Sequence, residues 1–527
     1  MRLTIYVFLA VALGVAAVGQ SGVTIAKFSD ETKSSGISSR YEGDWEFMVG
    51  GGTAVFDCDN DGYPEIFTAG GTSPATLYRN LSRRAGTLRF SRLLSGLELT
   101  DTIGAYPLDV DADGNTDLMV LRLGANVLFR GLGKCQFEDA NTLWNFTAGD
   151  AWHTAFAATW EAGQTLPTLA IGSYVDRTQT EYPWGSCTDN WLIRPASSRL
   201  FATPSPLRPS YCSLSMLFSD WNRSGTPSLR VSNDREYYKG GQEQLWQVSS
   251  QQAPRLYTED EGWRRLQIWG MGIASHDLSG DGYPEYYLTS MADQKLQILA
   301  KDSTRPQYAD IAFQKGVTAH RPYIGDNTRP STGWHAQFED VNNDTLTDLF
   351  VAKGNVALMP DFAMSDPNNL FLQQPDGKFL ESGDQAGVAS GKRGRGAMLA
   401  DFNLDGWLDL VVVNRWDNAE IWRNTSTSPN NWLQLQIRQA GGNRNAIGSW
   451  LEVKLEDGKI LRRELTIGGG HVSGQLGWVH FGLGVSKTAE VRVQYPDGLK
   501  SDWQSVSGNS FYIFERDKPA KIWKPSR

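Results

Sequence analysis

The chain is short of the residues on which most protein chemistry depends. Among its 527 residues are only four cysteines and six histidines. The histidines are scattered and no CxxC pair occurs, which excludes a zinc site. Basic residues are outnumbered, 50 Lys plus Arg against 59 Asp plus Glu, and the formal charge of −9 argues against a nucleic-acid binder. Charged residues make up 21% and hydrophobic ones 40%, a balance that supports packed cores and excludes long disorder. Beyond the first twenty residues no stretch is apolar enough to span a bilayer. Nucleophile-elbow, HExxH, P-loop and dinucleotide signatures are missing, and no glycosidase-like carboxylate pair can be singled out. The reading is therefore non-enzymatic.

What is present begins with an export signal. Arg2 precedes an apolar run over residues 3–18, and the small residues Ala16, Ala17 and Gly19 suit a cleavage site, so residues 1–19 read as a signal peptide. The expected location is secreted, periplasmic or extracellular. An even cysteine count in an exported chain favours two disulfides. Cys187 and Cys212 bracket a proline-rich loop and are expected to pair, which leaves Cys58 and Cys135 to pair by elimination.

Acidic turns then recur in one frame. Asp57, Asp59, Asp61, Gly62 and Glu65 match Asp109, Asp111, Asp113, Gly114 and Asp117. The same frame returns as Asp277, Ser279, Asp281, Gly282, Glu285; as Asp340, Asn342, Asp344, Thr345, Asp348; and as Asp401, Asn403, Asp405, Gly406, Asp409. A weaker copy is Asp220, Asn222, Ser224, Gly225, Ser228, and a degenerate one is Thr159, Glu161, Gly163, Pro167. Oxygens at positions 1, 3, 5 and 9 with a tight turn at position 6 describe a site for a hard cation, and Ca2+ is its natural occupant. Five to six structural ions are expected. An EF-hand is excluded, because position 12 is Thr68, Val120, Leu288, Val351 or Val412 where a bidentate Glu is required. Eighteen carboxylates stand at ligand positions, so six divalent cations would carry the chain from −9 to +3.

The first positions of successive turns lie between 50 and 63 residues apart, the length of one four-stranded unit with long loops. Apolar β-rich runs follow each turn, as in Leu410, Val411, Val412 and Val413. Small residues stand five places before most turns, at Gly52, Gly104, Thr154, Ser215, Gly272 and Gly396, where inner strands would crowd an axis. The predicted fold is all-β: a seven-bladed β-propeller with calcium loops over 20–424, then a small β-sandwich-like domain over 425–516 and a tail over 517–527. Lys27, Phe28, Ser29 and Asp30 resemble Lys378, Phe379, Leu380 and Glu381, so the N-terminus is expected to supply the outer strand of the last blade.

These units resemble FG-GAP (VCBS) repeats, the calcium-loop blades of integrin α-chain propellers, over roughly residues 25–424. Asn443 to Gly448, His480 to Gly484 and Tyr495 to Gly498 resemble the ASPIC/UnbV domain that follows such propellers in the cartilage acidic protein family. The resemblance implies an extracellular or periplasmic protein, with matrix or surface adhesion the usual suggestion.

The expected partner is an extracellular protein or glycan, with no nucleic acid and no membrane span in the mature chain. Two alternatives are a polysaccharide-active enzyme working on the axial face and a subunit of a surface assembly docked through the C-terminal domain. His153, His276 and His335 are candidates to line the axial channel, more readily as polar filler than as catalysts. Trp144, Trp152, Trp160, Trp184, Trp191, Trp246, Trp263, Trp269 and Trp334 are candidates for sugar stacking or partner anchoring, with packing the commoner role.

Overall fold

The computed structural model describes residues 24–179, 186–325 and 327–525. The signal-peptide segment and Trp184 lie outside them. The chain is all-β, built mainly of four-stranded antiparallel sheets. The first holds Thr53–Phe56, Glu65–Thr68, Thr76–Asn80 and Phe90–Leu93. Each later unit repeats the order, with its first strand buried: Thr102–Leu108, Asp150–Thr159, Ser213–Ser219, Gly270–His276, Gly333–Glu339 and Gly394–Ala400. These first strands contact one another in sequence, and Gly394–Ala400 contacts Thr53–Phe56, so the set closes on itself. One departure from strict repetition occurs where Asp117–Ala125 and Asp150–Thr159 run long enough to pair at their ends, fusing the second and third units into one eight-stranded sheet.

The N-terminus joins the last unit as expected. Phe28–Asp30 pairs with Glu420–Asn424 in the register Phe28 to Asn424. A short helix, Thr32–Ser35, follows and ends at Gly36 with φ of 92°. The same strand, single turn and left-handed glycine recur at Ala312–Lys315 with Gly316 and at Gly383–Ala386 with Gly387, a C-cap that only glycine adopts cheaply. The disulfides Cys58–Cys135 and Cys187–Cys212 are both formed. The first ties the first turn to the second sheet's outer hairpin.

The C-terminal region is a sandwich of two four-stranded sheets. One is mixed, with Asn431–Arg438 between Val479–Gly484 and Ser510–Glu515; the other is antiparallel, with Trp450–Leu455 and Thr488–Gln494 at its centre. Leu433, Leu435, Leu451, Val453, Val491 and Phe514 fill the space between them. The region expected as a tail contributes a strand: Lys521–Trp523 pairs with Ser510–Glu515, and Trp523 stacks with Trp478 and Phe511.

The axis is where the structure departs most from the sequence reading. Gly468, Gly469 and Gly470 leave the sandwich between two of its strands and enter the middle of the ring. Gly474–Leu476 pairs in parallel with Ala54 to Phe56 as a fifth strand of the first sheet. Ala158 N donates to Ile467 O at 3.1 Å, Gly469 N to Met216 O and Gly470 N to Ile273 O, both at 2.6 Å. His471 N donates to His335 Nδ1 at 3.2 Å, and Thr53 N donates to Ser473 Oγ at 3.0 Å. The small residues of the first strands therefore make room for this segment, not only for each other. A Cβ on Gly52 or Gly104 would overlap the carbonyl of Val472, and one on Gly396 would overlap the Ser473 hydroxyl.

Candidate metal centres

Each acidic turn connects the first strand of its sheet to the second. Its path needs left-handed backbone twice, at positions 4 and 6. Asn60 and Gly62 have φ of 61° and 89°, Ala112 and Gly114 of 60° and 88°, and Leu404 and Gly406 of 54° and 89°. Thr345 holds position 6 at φ of 75° where its counterparts are glycine, a strain that a β-branched residue tolerates only if the turn is otherwise pinned. The first carboxylate does part of that pinning. Asp57 accepts from Asp61 N and Gly62 N at 3.2 and 2.8 Å, and Asp401 accepts from Asp405 N and Gly406 N at 3.0 and 2.8 Å.

Position 9 braces the backbone. Asp117 accepts from Val110 N and Gly131 N, Asp348 from Val341 N and Gln373 N, and Asp409 from Phe402 N and Asn424 N. Glu65 does the same with Cys58 N and Asn80 N. The side chain braces the turn against the third strand of its sheet.

Ligand atoms of Asp57, Asp59 and Asp61 lie within 4.8 Å of one another, as do those of Asp109, Asp111 and Asp117. In the turns from Asp277, Asp340 and Asp401, position 3 is Ser279, Asn342 or Asn403, and the two asparagines donate to Asp344 and Asp405. The donor sets consist of hard oxygens and fit a calcium-sized cation. Buried oxygens await a partner: Oδ1 of Asp59, Asp109 and Asp277 accepts no hydrogen bond among the described residues. Such atoms are costly unless a charge or donor meets them.

The electrostatics agree. Burial pushes the carboxyls of Asp57, Asp109 and Asp277 up to about 6 and Glu285 up to about 7. It raises Asp117, Asp348 and Asp409 well above the carboxylate range, with neighbouring aspartates adding to the rise. Some positive charge is already supplied by the protein. Arg130 lies 2.9 Å from Asp111 and 3.0 Å from Asp113, and Arg79 pairs with Asp59.

The two imperfect copies differ in kind. In the Asp220 turn, position 9 is the buried Ser228, and Glu464 of the sandwich accepts from Asp220 N at 2.7 Å. The degenerate turn keeps Gly163 at φ of 79°, but Glu161 is bound by Arg194 Nε at 2.6 Å and by Thr168 Oγ1 at 2.8 Å. A guanidinium from the end of the third strand stands in for a cation.

The sandwich docks on this face. Trp478 Nε1 donates to Gly62 O at 3.1 Å, Arg444 packs on Gly114, and Arg223 lies 4.2 Å over the Trp450 ring. Arg462 donates to Gly280 O at 3.0 Å and lies 3.7 Å from Asp277. Lys459 donates to Thr345 O at 2.8 Å, His480 meets Asn343 Oδ1 at 2.7 Å, and Gln434 donates to Asp401 at 2.7 Å with Trp432 against Gly406. Sequence reasoning found the acidic residues but not these partners, because nothing local links them. A cavity of about 270 Å3, lined by Asp57, Asp109, Gln436, Arg438 and Arg444, leaves the first two turns open to solvent between sandwich and ring.

The other candidates fall away from the axis or into packing. His335 bonds the inserted segment, His153 meets Ser173, and burial lowers both, His153 to about 4 and His335 to about 3. His276 is likewise held near 3 by burial beside Phe338. Trp144, Trp152, Trp246, Trp263 and Trp334 are buried, Trp160 and Trp191 are half-buried, and Trp269 is exposed.

Comparison with known proteins follows the same division. Residues 57–120 and 340–412, which contain four of the acidic turns, match the FG-GAP-like repeat family. Residues 439–521 match the ASPIC and UnbV family. Mouse cartilage acidic protein 1 is 25% identical over 482 residues, covering 85% of this chain and 70% of that protein. The human protein is 23% identical over 514 residues, covering 88% and 71%. Among solved structures, BBS1N in complex with ARL6DN aligns with a TM-score of 0.43 at 9% identity, over 77% of this chain and 99% of that one. The chain carries FG-GAP-like repeats joined to an ASPIC and UnbV domain and is a distant relative of cartilage acidic protein 1.

Proposed function

We propose that the protein is an exported, non-enzymatic binding module: a seven-bladed propeller whose acidic turns hold structural Ca2+ and whose remaining surface engages an extracellular protein or glycan. The buried, unpartnered carboxylate oxygens of Asp59, Asp109 and Asp277 carry the calcium reading. Five turns supply a full oxygen set. The Asp220 turn lacks the carboxylate at position 9 and the Glu161 turn has its own guanidinium, so five ions is the expected stoichiometry. Two disulfides fit an oxidising compartment, and no helix among the described residues is long and apolar enough to cross a membrane.

The axis and the acidic face are both taken up by the chain itself, which moves the binding surface to the opposite face and the outer edges. Trp45 and Trp269, each close to half exposed at 44% and 46%, are anchors of the right kind there. The same occupancy weighs against an axial active site, because residues 467–476 run where substrate would enter. Isothermal titration with CaCl2 after chelation tests the metal claim: about five sites are expected, and a flat titration would refute it. A glycan array combined with pull-down from the native secretome tests the binding claim, and a reducing-end release assay on any retained glycan separates binder from enzyme.

A further inference from the structure

The ASPIC and UnbV domain does not rest on the ring at one patch. Each of six acidic turns is met by residues of it, and the contacts fall on the turn atoms whose positions the left-handed residues set. Trp478, Arg462 and Lys459 donate to the carbonyls of Gly62, Gly280 and Thr345, which occupy positions 6, 4 and 6 of their turns. Trp432 and Arg444 lie flat on the position-6 glycines Gly406 and Gly114, where any side chain would collide with the indole of Trp432. The segments that carry the domain's resemblance are among those that dock. Arg444 belongs to Asn443–Gly448 and meets the second turn; His480 and Gly482 belong to His480–Gly484 and meet Asn343 and Asp340; Pro496 lies beside Gly225.

The geometry points to a cation-dependent latch: occupancy of the acidic turns, docking of the C-terminal domain and seating of its Ile467–Leu476 segment in the axis form one coupled equilibrium. This rests on the calcium reading above. A cation draws the carboxylates at positions 1, 3 and 5 together and so holds positions 4 and 6 in the conformation that the domain reads. Without it, three or four crowded carboxylates repel, the turns open, and contacts at several turns weaken together. Arg462, Lys459 and Arg444 face these carboxylates and oppose release, but single ion pairs with a partly exposed partner are individually weak. The axial segment is connected to the docked strands Ile460–Glu464 and Val479–Gly484 on its two sides, so it cannot stay seated when they leave.

The test uses the full chain. Hydrogen exchange of residues 467–476 is measured with saturating Ca2+ and after EDTA, with bound metal counted by elemental analysis in both samples. At least tenfold faster exchange in EDTA is expected at Gly469 and Gly470, with accelerated protease cleavage in 425–430, while second and third strands of the sheets keep their protection. Unchanged protection in protein confirmed to be metal-free overturns the latch and leaves the calcium reading standing. No bound calcium in either sample removes the calcium reading, and the latch with it. A variant gives the reciprocal measurement, since coupling acts equally in both directions. Gly470→Val collides with the His335 ring and should weaken Ca2+ binding by the factor by which Ca2+ slows opening of the segment. Unaltered Ca2+ affinity with the segment displaced also overturns the latch. If this variant does not fold, exchange in the wild-type chain still decides.

Discussion

The turn at Asp57 and the turn at Glu161 each join the first strand to the second, in the first and third units of the ring, yet they solve the same electrostatic problem differently. The first gathers four carboxylates and leaves Oδ1 of Asp59 without a donor among the described residues. The second has one carboxylate, whose Oε1 meets Arg194 at 2.6 Å while its Oε2 likewise accepts no hydrogen bond among the described residues. Both keep a left-handed residue four places beyond the end of the first strand, Asn60 and Gly163, but only the first has a second one, at Gly62. The left-handed residue at position 4 therefore does not depend on the acidic set; what calls for a positive charge is the concentration of acid placed beneath the turn. On the proposed reading, one turn takes an ion from outside, while the other has a guanidinium of the chain beside its carboxylate.

Chelation should break the equivalence most sharply. At a hundredfold excess over Kd each site contributes about 2.7 kcal/mol, so removal of Ca2+ from several turns should lower Tm by more than about 10 °C, seen by calorimetry or circular dichroism. Next in size is Arg194→Ala, which strands a buried carboxylate and should cost roughly 3 kcal/mol by the same amount with or without EDTA. Asp57→Ala and Asp401→Ala should instead destabilise more in Ca2+ than in EDTA, where only the hold on the turn amides is lost; equal losses in both conditions would erase the distinction between the two kinds of turn.

A gentler probe is pH. The metal-turn carboxyls of Asp57, Asp109 and Asp277 titrate near 6 in the folded chain against 3.8 when exposed. The folded state thus binds more protons than the unfolded one between these values, and stability falls as pH rises through them. In EDTA, Tm should decline from about pH 4 to pH 7, whereas Ca2+ should flatten or invert that slope by competing with protons. Asp260→Ala, at an exposed position away from the turns, should change stability by no more than about 0.5 kcal/mol under every condition.

Much of this was legible because it is local. Residues 1, 3, 5, 6 and 9 of a turn sit close in sequence, so composition and spacing expose them, and strand periodicity follows the same way. The clasp of Phe28–Asp30 onto the last sheet was readable because its segment copies Phe379–Glu381 and the glycine beyond it. The inserted Gly468, Gly469 and Gly470 were not readable. Three glycines between strands describe a turn equally well, and their partners Met216 and Ile273 lie 253 and 197 residues earlier. The role of Arg194 was hidden for the same reason: a lone arginine has no pattern until the sheet brings it to Glu161. Position 9 was read correctly as oxygen, but its hold on two backbone amides is a property of sheet register, which the residue type alone does not disclose.

The axial insertion also bears on the order in which the chain can reach its native state. Lys27 N bonds Ser426 Oγ across 399 residues, and Gly50 N bonds His471 Nε2 across 421. Neither closure can form until nearly the whole polypeptide is available, and the second requires inner strands already arranged around a space to be filled. Contacts of such separation make folding slow and leave sheet edges open meanwhile. They also make the finished molecule reluctant to come apart, because unthreading the core must precede opening the ring. Resistance measured as a lifetime should therefore exceed what its equilibrium stability alone would lead one to expect.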